Sequence, residues 1–189
     1  MAGHRGDEAA ARGGLADKDP SVRAAALGAL ARMGLLTDAD LVAGLADPSF
    51  GARRRAAELA AAHPHVDLAA VLGDAEPLVA EMAAWALGER PTTDLSTVAT
   101  LAAMATDHTD PLCREAAVAA LGAIGDRGGL AAILEATTDK PAVRRRAVIA
   151  LAAFDGPEVE AALQVALHDR DWQVRQAAED LIEGDQDAH

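Results

Sequence analysis

The sequence has no Tyr, two Phe and two Trp, so aromatics make up only 2% of it. Sheets favour aromatic and β-branched side chains, and their scarcity turns the reading away from a β-rich fold. Lysine is nearly missing too: Lys18 and Lys140 stand among 17 bases, and the others are Arg. Thirty acids outnumber those bases and leave a formal charge of −13. Such a chain is repelled by nucleic acid and anionic membranes unless its bases gather on one face. The single cysteine, Cys113, excludes an internal disulfide and fits a reducing compartment. No apolar run near the start suits a signal peptide, and none elsewhere is long enough to cross a bilayer. The expected location is cytoplasmic. The Lys-poor, Ala/Arg/Asp-rich usage suggests a high-GC bacterial source.

What is abundant is Ala, with Leu and Val, and this mixture favours helices because Ala loses no side-chain entropy. The chain also repeats itself. Leu15 to Leu30 reads Leu-Ala-Asp-Lys-Asp-Pro-Ser-Val-Arg-Ala-Ala-Ala-Leu-Gly-Ala-Leu, and five further stretches keep its frame. Taking the Val as anchor, the copies fall at Val22, Ala52, Val79, Cys113, Val143 and Val174. One residue on stand Arg23, Arg53, Ala80, Arg114, Arg144 and Arg175; four on, all six copies have Ala. Offsets zero, four, seven and eight share one face of an α-helix.

Asp19-Pro20, Glu76-Pro77 and Asp110-Pro111, with Pro141 in the fifth copy, mark helix starts, an acidic N-cap followed by Pro in the first turn. Gly34 and Gly125 lie where a left-handed C′ residue ends a helix. A second periodic segment follows each stop, near 38–46, 66–72, 94–104, 128–135 and 157–167, with Asp38, Asp94 and Asp126 as expected caps. A short helix over His4 to Ala16, broken near Gly13 and Gly14, reads as the second helix of an incomplete leading unit. The prediction is one all-α domain over residues 1–189: a right-handed α-solenoid of about six helix-turn-helix repeats, with a frayed tail at 184–189.

The frame Leu-x-Asp-x-(Asp/Glu)-Pro-x-Val-Arg-x-x-Ala-x-x-(Ala/Leu)-Leu-Gly resembles the HEAT-like repeat of the phycobilisome-lyase type, over about residues 14 to 183. The resemblance implies stacked helix pairs. It implies no single activity, since the family includes adaptors and scaffolds, bilin lyases, deoxyhypusine hydroxylase and, more distantly, alkylpurine DNA glycosylases.

The residues narrow that range. No His is followed by Glu, so the iron-holding His-Glu motifs of the hydroxylase are missing. His63-Pro64-His65 reads as a turn with no carboxylate or Cys beside it, and Cys113 as a small core residue. No catalytic, metal or cofactor residue is assigned. A glycosylase needs a basic groove with aromatics, which the charge opposes; Trp172 is expected to shield the C-terminal end of the core. The recurring Arg23, Arg53, Arg114, Arg144 and Arg175 are read as a structural ladder to loop Asp residues or carbonyls. The neighbouring Arg54, Arg55, Arg145 and Arg146 are candidates for two basic spots. Outward positions of the second helices, Asp40, Asp67, Thr97, Thr100, Glu135, Glu160 and Gln164, are the expected partner-binding residues on a concave face. The expected function is a non-catalytic protein-interaction scaffold whose partner is another protein, especially a basic one. A bilin-lyase-type or other small-ligand-binding subunit is the alternative, and DNA binding comes third.

Overall fold

Helix starts are set by the Asp–Pro steps. Asp19 and Asp110 have extended backbones, and their carboxylates accept from the N–H groups of Ser21 and Leu112, so the Pro that follows enters helix at no hydrogen-bond cost. Glu76 and Lys140 occupy the same place before Pro77 and Pro141 without a side-chain cap bond. Gly34 and Gly125 end their helices at φ of +67° and +68°, the left-handed region that costs a side chain energy.

The computed structural model describes residues 2–187, Thr92 excepted, and side chains from 7 to 184. Among the described residues there are eleven α-helices and no strand. They are α1 (Ala2–Gly14), α2 (Pro20–Arg32), α3 (Asp38–Leu45), α4 (Phe50–Leu59), α5 (Pro77–Gly88), α6 (Leu95–Asp107), α7 (Pro111–Ile124), α8 (Leu130–Ala136), α9 (Pro141–Ala150), α10 (Pro157–Ala166) and α11 (Trp172–Asp187). The chain divides into two compact units, Met1–Arg90 and Pro91–His189.

In the first unit α2 packs on α1 and α4, and α4 packs on α3 and α5. In the second, α7 packs on α6, α8 and α9, while α9 also meets α10 and α11. In each unit the helices bearing the anchors stack on one another, and the second helices lie beside them. The offset-four alanines Ala56, Ala83, Ala117, Ala147 and Ala178 are wholly buried, and Ala26 nearly so. Close approach explains the small residues. A Cβ added at Gly44 would lie 2.9 Å from Ala56 Cβ, and one at Gly122 only 2.6 Å from Ala150 Cβ.

Several local expectations are corrected. Asp38 is not the cap of α3; Thr37 is, in a reciprocal capping box with Asp40. The second segment of the second repeat is a 3-10 turn, Ala69–Gly73, instead of an α-helix. Its repeat spans only 27 residues from Ala52 to Val79, too few for two full helices and their turns. The segment expected from Gly128 starts as a 3-10 turn, Arg127–Gly129, before α8. Helix α11 runs through Asp187, and residues 188–189 of the expected tail lie outside the described residues.

Candidate functional site

Every anchor helix except α5, which carries Ala80, has a recurring arginine in its first turn, and those of α2, α4, α7 and α9 reach forward to the loop before the next anchor helix. Arg23 donates through Nε and Nη2 to Asp47, both at 2.6 Å. Arg53 grips Asp74 at 2.7 and 2.9 Å, Arg114 grips Asp139 at 2.5 and 2.7 Å, and Arg144 grips Asp169 at 2.8 and 2.7 Å. The remaining Nη1 donates backwards to a carbonyl of the preceding loop, from Arg23 to Asp17 and from Arg144 to Asp139. Each bidentate pair therefore ties two successive loops, and each Asp also accepts from a backbone N–H of its own loop. The guanidinium hydrogen bond holds the carboxyl groups of Asp47, Asp74, Asp139 and Asp169 below the usual carboxylate range. With their forks so occupied, these four arginines do not offer a phosphate-binding stripe. Arg175 keeps only the backward bond, to Asp169 O at 2.8 Å, and pairs with no carboxylate among the described residues.

The two triplets are only half available. Arg55 pairs with Glu58 at 2.7 Å and Arg146 with Glu115 at 3.5 Å, while Arg54 and Arg145 are exposed. Arg145 shares a shallow hollow with Ile149, Trp172 and Gln176. Trp172 does not shield the core: it is 65% exposed, in the first turn of α11.

The expected outward positions on the second helices separate into two groups. Asp67, Thr100, Glu135, Glu160 and Gln164 are exposed. Thr97 and Asp40 are corrections. Thr97 is buried at 5% exposure, its hydroxyl donating to Asp94; a first-turn Thr turns back to its cap instead of facing solvent. The Asp40 carboxylate is taken by Thr37 and by Arg12 of α1 at 2.6 Å, and its pKa is lowered because these bonds outweigh the opposing effect of burial. Glu160 and Gln164 come together on one open groove between α10 and α11, floored by Phe154 and Val159 and walled by Leu163 and Leu181.

Two features were not foreseen. His63 is not without a carboxylate, since its Nδ1 lies 2.6 Å from Asp38 Oδ1. Arg90, outside the repeat frame, donates Nη2 to the carbonyls of Ala60, His63 and Val66. It closes the irregular stretch where the second repeat runs short, and burial draws its pKa below the ordinary arginine value. The signal available was its position just past α5, where no other copy has a base in step. Among the described residues no three His, Cys, Asp or Glu side chains converge as metal ligands, and no helix is long and apolar enough to cross a membrane.

Known proteins share this architecture. An engineered protein of known crystal structure superposes with a TM-score of 0.64 at 20% identity, covering 96% of each chain. A designed armadillo repeat protein, solved in complex with the peptide (KR)4, gives 0.65 at 17% identity, with 93% of this chain and 98% of that one covered. A second designed armadillo repeat protein gives 0.60, also at 17% identity and with the same coverage. At these identities the likeness is one of fold: all-helical repeats of the solenoid class. No curated protein matches the sequence. A family model described as HEAT repeats matches residues 66–142 and 129–180, together more than half of the chain. The recurring frame, the stacked helix pairs and this match make the chain a member of the HEAT-repeat family.

Proposed function

We propose that the protein is a non-catalytic interaction module that binds a segment of a basic protein on the exposed face of its second helices. One observation carries the reading. Arg23, Arg53, Arg55, Arg114, Arg144 and Arg146 are committed within the fold, to loop carboxylates and to Glu58 and Glu115, whereas Glu135 of α8 and Glu160 of α10, both in the second unit, are exposed with no cation paired to them among the described residues. The second-helix surface is thus small-featured and acidic, suited to a partner of opposite charge. The basic peptide held by a designed armadillo repeat protein of the same fold is consistent with this choice. The frame of the repeat favours the phycobilisome-lyase subtype of HEAT repeat, acting in the cytoplasm.

Partner capture from native lysate, repeated with Thr100→Arg and Glu135→Arg, tests the proposal. A stoichiometric basic partner lost on these substitutions is the expected result. The small-ligand alternative makes a different prediction, a visible-band shift when an open-chain tetrapyrrole is titrated in at micromolar concentration. That shift, without a protein partner, would sink the interaction reading.

A further inference from the structure

We infer that Arg32 and Arg55 form a binding site for a phosphate monoester dianion on the anchor helices of the first unit. The site uses α2 and α4 and no second-helix residue, so it stands or falls apart from the interaction reading.

It starts from a missing side chain. Gly28 is buried in mid-helix, where Ala would be the better helix former. A Cβ there would lie 2.7 Å from Arg55 Nη2, 3.3 Å from Arg55 Nε and 3.4 Å from Arg32 Nη1. The glycine thus leaves the room in which guanidinium groups from two helices converge. Arg55 spends only Nη1 on a carboxylate, Glu58 at 2.7 Å. Its Nε and Nη2 are the donors with which Arg23, Arg53, Arg114 and Arg144 each grip an Asp. In Arg55 they meet no acceptor among the described residues. Arg32 is exposed and makes no hydrogen bond or ion pair among them. Arg54, beside Arg55 on α4, is exposed and likewise without a partner there.

The second unit shows the same position neutralised. Arg146, like Arg55, stands three residues past its anchor, and it pairs with Glu115 of the preceding anchor helix at 3.5 Å. In the first unit the counterpart of Glu115 is Ala24, and the counterpart of Ala123 is Arg32. An acid is gone and a base has come. Glu58 is the one carboxylate paired to Arg32, Arg54 or Arg55 among the described residues. Like charges this close repel, and an anion held between them turns that repulsion into attraction. A tetrahedral dianion presents separate oxygens to both guanidinium groups, a geometry that arginine forks match. The chain's net charge of −13 opposes anions at long range. Salt screens that field beyond about 10 Å and weakens contact pairs much less.

The test is a two-dimensional 1H–15N NMR titration of the full chain with inorganic phosphate at neutral pH, where phosphate monoesters are largely dianions. The amides of Gly28, Arg32 and Arg55 are expected to shift saturably, and chloride at equal ionic strength should leave them in place. Acetate should bind at least about tenfold more weakly. Arg32→Gln, at an exposed position that should leave folding intact, is expected to weaken phosphate by about tenfold. Gly28→Ala should weaken it similarly by displacing the Arg55 guanidinium. Its melting temperature should not fall, because the new methyl meets a flexible tip and favours the helix. Arg145→Gln removes the same charge from α9 and should leave the affinity nearly unchanged.

Shifts that chloride reproduces, or that grow without saturating, would overturn the proposal. So would equal binding of acetate, or phosphate affinity untouched by Arg32→Gln. A phosphoserine peptide supplies the last arm. Binding at least about tenfold tighter than inorganic phosphate would assign the dianion to a phosphorylated protein. No gain would assign it to a small phosphate ester, and the site stands in both cases.

Discussion

A single methyl group decides much of this packing. Ala117 and Ala147 have no exposed surface, and each sits at the fourth offset of an anchor helix. Ala117→Leu or Ala147→Leu adds three carbons where neighbours cannot withdraw, and should cost about 1–3 kcal/mol. Chemical denaturation measures it, and an unchanged midpoint would show that the face has room. The arginines act at the same scale with a different currency. Arg144 is buried at 4% exposure and holds both Asp169 oxygens. Arg144→Met keeps the apolar stem but leaves that carboxylate facing no donor from its neighbour, with an expected loss of about 1–3 kcal/mol. Equal stability of Arg144→Met and the parent in urea would mean that the pair contributes nothing net.

Helix ends and helix contacts are where elements are set. Thr37 and Asp40 close the start of α3 reciprocally, and Arg12 adds a bond from α1. Thr37→Ala removes the side-chain acceptor for Asp40 N–H and should cost about 1 kcal/mol. The helix contact at Gly122 is tighter. An added Cβ there would come within 2.8 Å of Ala150 Cα, so the clash is with backbone and cannot be relieved by a rotamer. Gly122→Ala gains up to about 1 kcal/mol of helix propensity, yet the overlap should dominate and lower the melting temperature. A rise in melting temperature would show that α7 and α9 can part without loss.

Across the whole molecule the loop pairs give a pH dependence whose sign follows from their direction. Asp47, Asp74, Asp139 and Asp169 are held below the usual range first by their arginines. A lowered folded-state value means that the unfolded chain takes up protons first as pH falls. The stabilisation is therefore complete above the unfolded carboxylate value of about 4 and is lost as pH drops through it towards the lowered folded values. Melting temperature should be nearly level from neutral pH to about 5 and fall below about 4. In Arg144→Met the fall should be shallower, because Asp169 no longer loses a partner on protonation. An equally steep fall in that variant would show that other carboxylates carry the acid sensitivity.

Much of this was legible from residue order because it depends on near neighbours. The 3.6-residue period marks the buried alanines, Asp before Pro caps the next turn, and Gly alone suits the left-handed stops at 34 and 125. The missing His-Glu pairs and the acidic charge narrow chemistry in the same way. Tertiary structure alone decided which partner each long side chain meets. Arg23 reaches an Asp 24 residues on and Arg114 one 25 residues on, distances that a local pattern does not encode. Arg90 found three carbonyls in a shortened repeat, Thr97 turned inward to Asp94, and Asp40 was drawn to Arg12. Trp172 faces solvent, and Glu160 and Gln164 share a groove with residues of α11. Periodicity fixes a residue's face, but the groups that meet there come from elements brought together only by packing.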